Sequence, residues 1–321
     1  MSVAKWEIEF VFKKLLKRDP EGPAIFDNNR SLENVDELIR KVARSPEFVR
    51  RIKMEMQNSN MVELRALADH RIVFLHIPKC GGTTLHNVLL GWFGAKSVHR
   101  ERFNNLYSSS VSDLASKKVF SGHFDYFSTH LIPGNKTLVT FMRDPIDRLI
   151  SLYNFHRAHR VKHPQPFNYI SLASELAIDD YFQQPKLCAA SPINNTMVRH
   201  LSDLPQTRFE WAPDSPDVAQ NIEALTEQSI RNLGSFDCVG FLDEYDSSIS
   251  KIAKVVGKPA PATIEKHQVL ETLPESNPNI RKITKQYPSD KTLKRMEELV
   301  AYDYVLYRAA KERFGTQKAA V

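Results

Sequence analysis

The chain has 321 residues, with 44 Lys and Arg against 38 Asp and Glu and a formal net charge of +6. That length fits one large α/β domain with additions, or two domains, at the usual ~100–200 residues each. A hydrophobic content of 42% and a charged content of 26% exclude disorder, collagen and a coiled coil as the whole answer. Three widely separated cysteines, Cys80, Cys188 and Cys238, are an odd count that argues against a disulfide framework and for a reducing, cytoplasmic setting. Charges run through the apolar stretches of the first residues, so no signal peptide is expected, and no run of ~18 apolar residues predicts a spanning helix. The positive balance points to anionic partners: nucleotides, nucleic acid, acidic glycans or a membrane surface.

Residues 1–68 read as a helical extension ahead of a catalytic domain at 69–321. Trp6, Phe10, Lys13 and Lys17 lie at helical spacing on a weakly amphipathic first helix. Ser45-Pro46-Glu47 predicts a second start, Ser as N-cap and Pro in the first turn, for a helix bearing Phe48, Val49, Ile52 and Met56. At Arg71 the character changes. Ile72 to Ile77 is a nearly unbroken apolar run, the pattern of a parallel strand buried on both faces. Similar runs follow at Val119-Phe120, Leu138–Met142 and Cys238–Leu242, with helical patterns near 145–160, 217–232, 243–256 and 289–314. This alternation predicts an α/β fold: a three-layer parallel sheet with helices on both faces. Residues 157–168 read as a surface segment and 258–280 as a long ordered loop.

The loop after the first strand carries the most chemistry. Gly81 and Gly82 let backbone N–H groups turn inward, and the next helix adds its positive end, which suits a phosphate or sulfate. Thr83 and Thr84 offer hydroxyls, and Lys79 a full charge. A nucleotide-triphosphate loop, G-x-x-x-x-G-K-[ST], places its lysine after the last glycine. Here Lys79 precedes both glycines, so the spacing suits a shorter anion with no obligatory metal. A second anion site follows the strand ending at Met142. Asp144 reads as an N-cap and Pro145 as a first helical residue, which leaves Arg143 at the strand's carboxyl end with Ser151 two turns along the helix. The ordinary alternative pairs Arg143 with Asp144 or Asp147.

Lys79-Cys80-Gly81-Gly82-Thr83-Thr84 resembles the 5′-phosphosulfate loop of sulfotransferases that use 3′-phosphoadenosine 5′-phosphosulfate (PAPS). Arg143 and Ser151, eight residues apart, resemble their 3′-phosphate motif. Within these enzymes the chain resembles the carbohydrate group containing the heparan sulfate 2-O- and 6-O-sulfotransferases, with further likeness at Asn194–Leu201, Val239–Tyr245 and Asp303–Phe314. The resemblance spans about residues 70 to 315, and many relatives have Thr where this chain has Cys80. It implies a P-loop-like sulfotransferase fold, PAPS as donor with PAP as product, and no metal.

His123 leaves the Phe120–Gly122 strand end and is the candidate base, since an imidazole near neutrality suits removal of a hydroxyl proton. The related glycan enzymes place their histidine in a similar context. In-line attack on sulfur would then proceed with Lys79 stabilising the departing phosphate oxygen. Asn154 to His163 is rich in aromatic and basic residues; His156, Arg157 and Arg160, with Arg199, are candidate contacts to an acidic saccharide acceptor. Two other classes compete. Val239–Glu244 resembles a strand delivering a Mg²⁺ carboxylate, as in a P-loop kinase or nucleotide hydrolase, and the charge alone would suit a non-catalytic polyanion-binding module. The first lacks a lysine in the right place to match its acidic pair, and the second does not explain two anion motifs at strand ends, so no nucleic-acid partner is expected.

Overall fold

The computed structural model describes residues 3–43, 45–48, 50–51, 70–104, 106–161, 168–203, 221–264 and 277–316. Four strands form one sheet: β1 (Arg71–Leu75), β2 (Val119–Gly122), β3 (Lys136–Met142) and β4 (Cys238–Phe241). All pairings are parallel, in the order β2-β1-β3-β4. The main helices are α1 (Lys5–Val11), α2 (Pro23–Arg30), α3 (Val35–Ala43), α4 (Gly82–Phe93), α5 (Pro145–Ala158), α6 (Thr196–Leu201), α7 (Ile222–Asn232), α8 (Tyr245–Val255), α9 (Asp290–Leu299) and α10 (Ala301–Phe314). The expected α/β architecture, parallel sheet flanked by helices, is what the chain adopts.

Strand order fixes where a ligand can sit. The β1–β2 connection, carrying α4, leaves in one direction, while the β3–β4 connection, carrying α5 to α7, leaves in the other. Right-handed crossovers running in opposite directions put their helices on opposite faces. Between the ends of β1 and β3 the loops therefore diverge and open a crevice, the position where open α/β sheets bind ligands. The register sets Leu75 beside both Gly122 and Thr140, so the segments after all three strands emerge at one edge.

The sheet is buried by Leu85 and Leu89 of α4, Val198 and Leu201 of α6, Ile249 and Ile252 of α8, and Leu306 of α10. A second core joins Leu149, Leu152 and Tyr153 of α5 to Tyr181, Phe182 and Met296. The N-terminal helices gather Ile8, Val11, Leu38 and Val42 around Tyr107 and Phe127, and the Lys17 ammonium donates to the Tyr107 carbonyl at 2.6 Å. Removing such apolar surface from water contributes ~25 cal/mol per Å², so this contact holds the helices against the sheet-bearing part.

Ser45 caps as its sequence predicts, its Oγ accepting from the Phe48 N–H at 3.2 Å. Val49, Ile52, Met56, Lys162 and His163 lie outside the described residues, as does the boundary expected at 68/69. The 289–314 pattern is not one helix. It breaks at Val300, because Asn195 reaches across and accepts the N–H groups of Tyr302 (3.0 Å) and Asp303 (3.1 Å). In return Asp303 accepts the Val198 N–H of α6 at 2.9 Å. Two helix starts thus cap each other, and the orphan donors that would terminate either in water are satisfied inside the protein.

Asn195 also holds a left-handed φ of 45°, a conformation asparagine tolerates better than alanine. Asn195→Ala is expected to lower stability by about 1–2 kcal/mol, the range for a lost cap. A lower urea midpoint at unchanged m-value would show it; an unchanged midpoint would contradict the reciprocal capping.

Candidate active site

The loop after β1 is shaped by two left-handed residues, Lys79 (φ 66°) and Gly81 (φ 83°), and closed by a Cys80 N–H to Ile77 carbonyl bond of 3.3 Å. Helix α4 starts at Gly82, so its first N–H groups, which have no intrahelical acceptor, surround the loop. Glycine is obligatory at 82: a Cβ there would lie 2.2 Å from the His76 ring. From the first residue of α8, the Tyr245 hydroxyl donates to the Gly81 carbonyl at 3.2 Å and pins the loop.

At the end of β3, Asp144 does what its sequence context predicts. Its carboxylate accepts the N–H groups of Ile146 and Asp147, both at 3.0 Å, and the Tyr304 hydroxyl at 3.0 Å. That commitment removes the obvious partner of Arg143. Among the described residues Arg143 has no ion pair, and its buried Nε has no hydrogen-bond acceptor. Ser151 stands part-buried on α5.

The two motifs meet electrostatically. Burial, then the Arg143 charge, pushes the Lys79 ammonium down to about 7, and no carboxylate offsets either. Its Nζ lies 3.6 Å from the centre of the Phe155 ring. Cys80 sits between the loops, its sulfur in the core and within reach of the Arg143 backbone N–H. Burial pushes this thiol up to about 12, so it is protonated and unreactive at neutral pH. As an anion contact Cys80 therefore contributes backbone shape and no side-chain donor. Thr83 is part-buried at the loop mouth, while buried Thr84 bonds to the Tyr245 hydroxyl.

His123 lies where β2 ends, its N–H donating to the Arg102 carbonyl at 2.8 Å. Its Nδ1 is 2.8 Å from the His76 carbonyl. A carbonyl only accepts, so Nδ1 carries the proton and Nε2 is the basic nitrogen. Burial, then the charges of Arg102 and Lys79, pushes His123 down to about 4, against the opposing pull of the His76 carbonyl. The ring is thus neutral. His76 itself stacks on Phe74, at 5.3 Å, and packs 4.2 Å from His123, its buried Nδ1 unpartnered.

The expected acceptor residues divide. His156 is buried against Tyr169, ring centres 4.4 Å apart, and Arg199 is buried with its Nε donating to the Asn194 carbonyl at 2.7 Å. Neither is exposed as the surface reading expected: each is held within the packing around α5 and α6. Arg157 and Arg160 lie outside, where the segment 277–288 runs along α5; Arg157 donates to the Thr284 carbonyl at 2.7 Å and the Arg160 N–H to Asn279 at 2.8 Å. Sequence reasoning missed Phe155 as the seat of Lys79, Tyr245 as a clamp on Gly81, and Arg102 as a cation beside the histidines. No local spacing signals these contacts, because each joins segments far apart in the sequence.

Residues 63–308 match the Sulfotransferase family, a span that includes both loops, His123 and the Arg143–Ser151 pair. The chain belongs to that family. No curated protein matches it. In this sulfotransferase, whose family carries out sulfuryl transfer, the acidic pair after β4 has a structural use. Asp243 and Glu244 grip Lys311 of α10 at 2.8 and 2.7 Å, and Glu244, pushed down to about 2 by the Lys311 and Thr316 bonds, also holds Thr316. A Mg²⁺ would have to break that network.

Gly82→Ala drives a methyl group into the His76 ring and is expected to cost about 1–3 kcal/mol, as other overpacked sites do. Gly91, on the same helix with open space at its Cβ position, provides the control. Gly91→Ala should be neutral or stabilising by up to ~1 kcal/mol. Equal denaturation midpoints for the two variants would contradict the cradle geometry.

Proposed function

We propose that this sulfotransferase takes the sulfuryl group from PAPS and places it on a hydroxyl of a saccharide, in the manner of the carbohydrate branch. One observation supports the reading above the others: Lys79 and Arg143, which have no carboxylate partner among the described residues, follow the neighbouring strands β1 and β3 and lie close enough for the Arg143 charge to lower the Lys79 pKa. Like charges brought together in a low-dielectric site are unfavourable unless an anion joins them. A nucleotide with phosphates at both ends is such an anion.

In this reading the N–H groups at the start of α4, with Thr83, hold the 5′ end, and Arg143 with Ser151 the 3′-phosphate. His123, its Nδ1–H fixed on the His76 carbonyl, accepts the acceptor's hydroxyl proton at Nε2. Lys79 leaves the Phe155 ring to place its charge where negative charge develops on the departing oxygen. PAPS supplies the activated sulfuryl group, and the protein positions it and excludes water.

Calorimetry with PAP, followed by sulfur-label transfer from PAPS to a saccharide panel, tests the proposal; no PAP binding would end it. Lys79→Ala should lower turnover roughly 100-fold, in the range for a lost oxyanion stabiliser. His123→Ala should lower it by at least ~100-fold while PAP still binds.

The pH dependence follows from the free-enzyme values. Lys79, at about 7, loses its proton above neutrality, so kcat/KM for PAPS should decline there. His123, at about 4, stays neutral well into acid, so the acid limb should appear only near that value. A bound anion raises the Lys79 pKa, so binding takes up a proton above pH 7. Measured at about pH 8, the PAP binding enthalpy should therefore vary with buffer ionisation enthalpy. Lys79→Gln should remove that variation.

A further inference from the structure

Phe103 leaves 67% of its surface in water, and its ring centre lies 6.1 Å from that of His123, the planes tilted by 38°. A single exposed phenylalanine is ordinary on a protein surface. This one is fastened on both sides. His99 pairs with β2 through its N–H to the Val119 carbonyl at 2.8 Å, and Arg102 accepts the His123 N–H at 2.8 Å. The Arg102 Cα packs so tightly on Gly122 that a Cβ there would be 2.8 Å away. On the other side Asn104 donates to the buried Asp125 carboxylate at 2.7 Å. The Phe103 N–H is taken by Glu101 Oε1 at 2.5 Å, which also turns that carboxylate back onto its own segment.

The backbone that carries this exposed ring is therefore fixed beside the candidate base. Beside it Arg102 pairs with no carboxylate among the described residues, and its charge reaches His123, His76 and His86. An aromatic face binds a ring with an apolar C–H surface, and an unpaired guanidinium binds a carboxylate or sulfate.

We infer that Phe103 and Arg102 form the acceptor side of the site and set its specificity: the Phe103 ring lies under a pyranose while Arg102 meets an anionic group on that sugar or its neighbour. This deepens the sulfotransferase reading and rests on it. The acceptor is then an acidic sugar, in preference to a neutral one of the same shape.

The test is saturation-transfer NMR on the full chain saturated with PAP, with methyl β-D-glucuronide and methyl β-D-glucoside as probes. PAP affinity, measured separately by calorimetry, reports the donor site and the folding of each variant. Wild-type protein should show transfer to the ring protons of the glucuronide more strongly than to the glucoside. Phe103→Ala should weaken glucuronide binding roughly two- to tenfold, the range for an aromatic stacking contact, and Phe103→Tyr should restore it. Arg102→Gln should erase the preference for glucuronide and leave glucoside binding unchanged. Equal binding of both sugars by wild-type protein, undiminished binding in Phe103→Ala, or no binding of either sugar while PAP binds would overturn the assignment. Failure of PAP itself to bind would instead overturn the donor reading.

Discussion

The crevice between β1 and β3 is governed by a repulsion. The parallel register brings the segment after Leu75 beside the segment after Met142, and each presents a cation. Lys79 is drawn from water against Phe155, and Arg143 is left with a buried, unpartnered Nε. Neither cation is neutralised by a carboxylate among the described residues. Desolvation and like charge both work against the ammonium, and the apolar core of the sheet holds the loops together against that strain. In the proposed function an incoming polyanion would offset the like-charge repulsion, while the desolvation of the ammonium remains.

This state persists because the nearby acids are engaged elsewhere. Asp144 caps α5 and receives Tyr304; Asp303 caps α6; Asp243 and Glu244 hold Lys311; Asp125 accepts from Tyr107 and Asn104. Each bond is a local stabilising feature, a cap or a buried charge-assisted hydrogen bond. Together they keep carboxylates from neutralising the crevice. A similar restraint applies to His123. Its tautomer is set by a backbone carbonyl, so the ring is oriented without a neighbouring carboxylate that would make it cationic.

The sequence was most readable where one element carries its own instruction. The apolar runs located the four strands, Gly81 and Gly82 marked the turn, and Asp144-Pro145 marked the start of α5, because strand burial, turn conformation and capping depend on neighbouring residues. The position of the crevice followed from strand order, which no run of residues prints. Contacts that cross the fold were unreadable for the same reason. The break at Val300 depends on Asn195, and burial of His156 and Arg199 depends on how α5 and α6 seat against other helices. A basic, helix-borne histidine or arginine looks alike in sequence whether it faces water or a core.

The reciprocal caps of α6 and α10 have a consequence for synthesis. Asp303 also lies close enough to Cys80 and Arg148 for its charge to be felt at both, so α10 reaches beneath the loop formed near the start of the sheet. Over 200 residues separate Cys80 from Asp303. As the polypeptide leaves the ribosome, the glycine turn emerges long before the α10 residues that lie beneath it. The turn therefore gains this part of its support late in synthesis, and truncation within α10 would remove it.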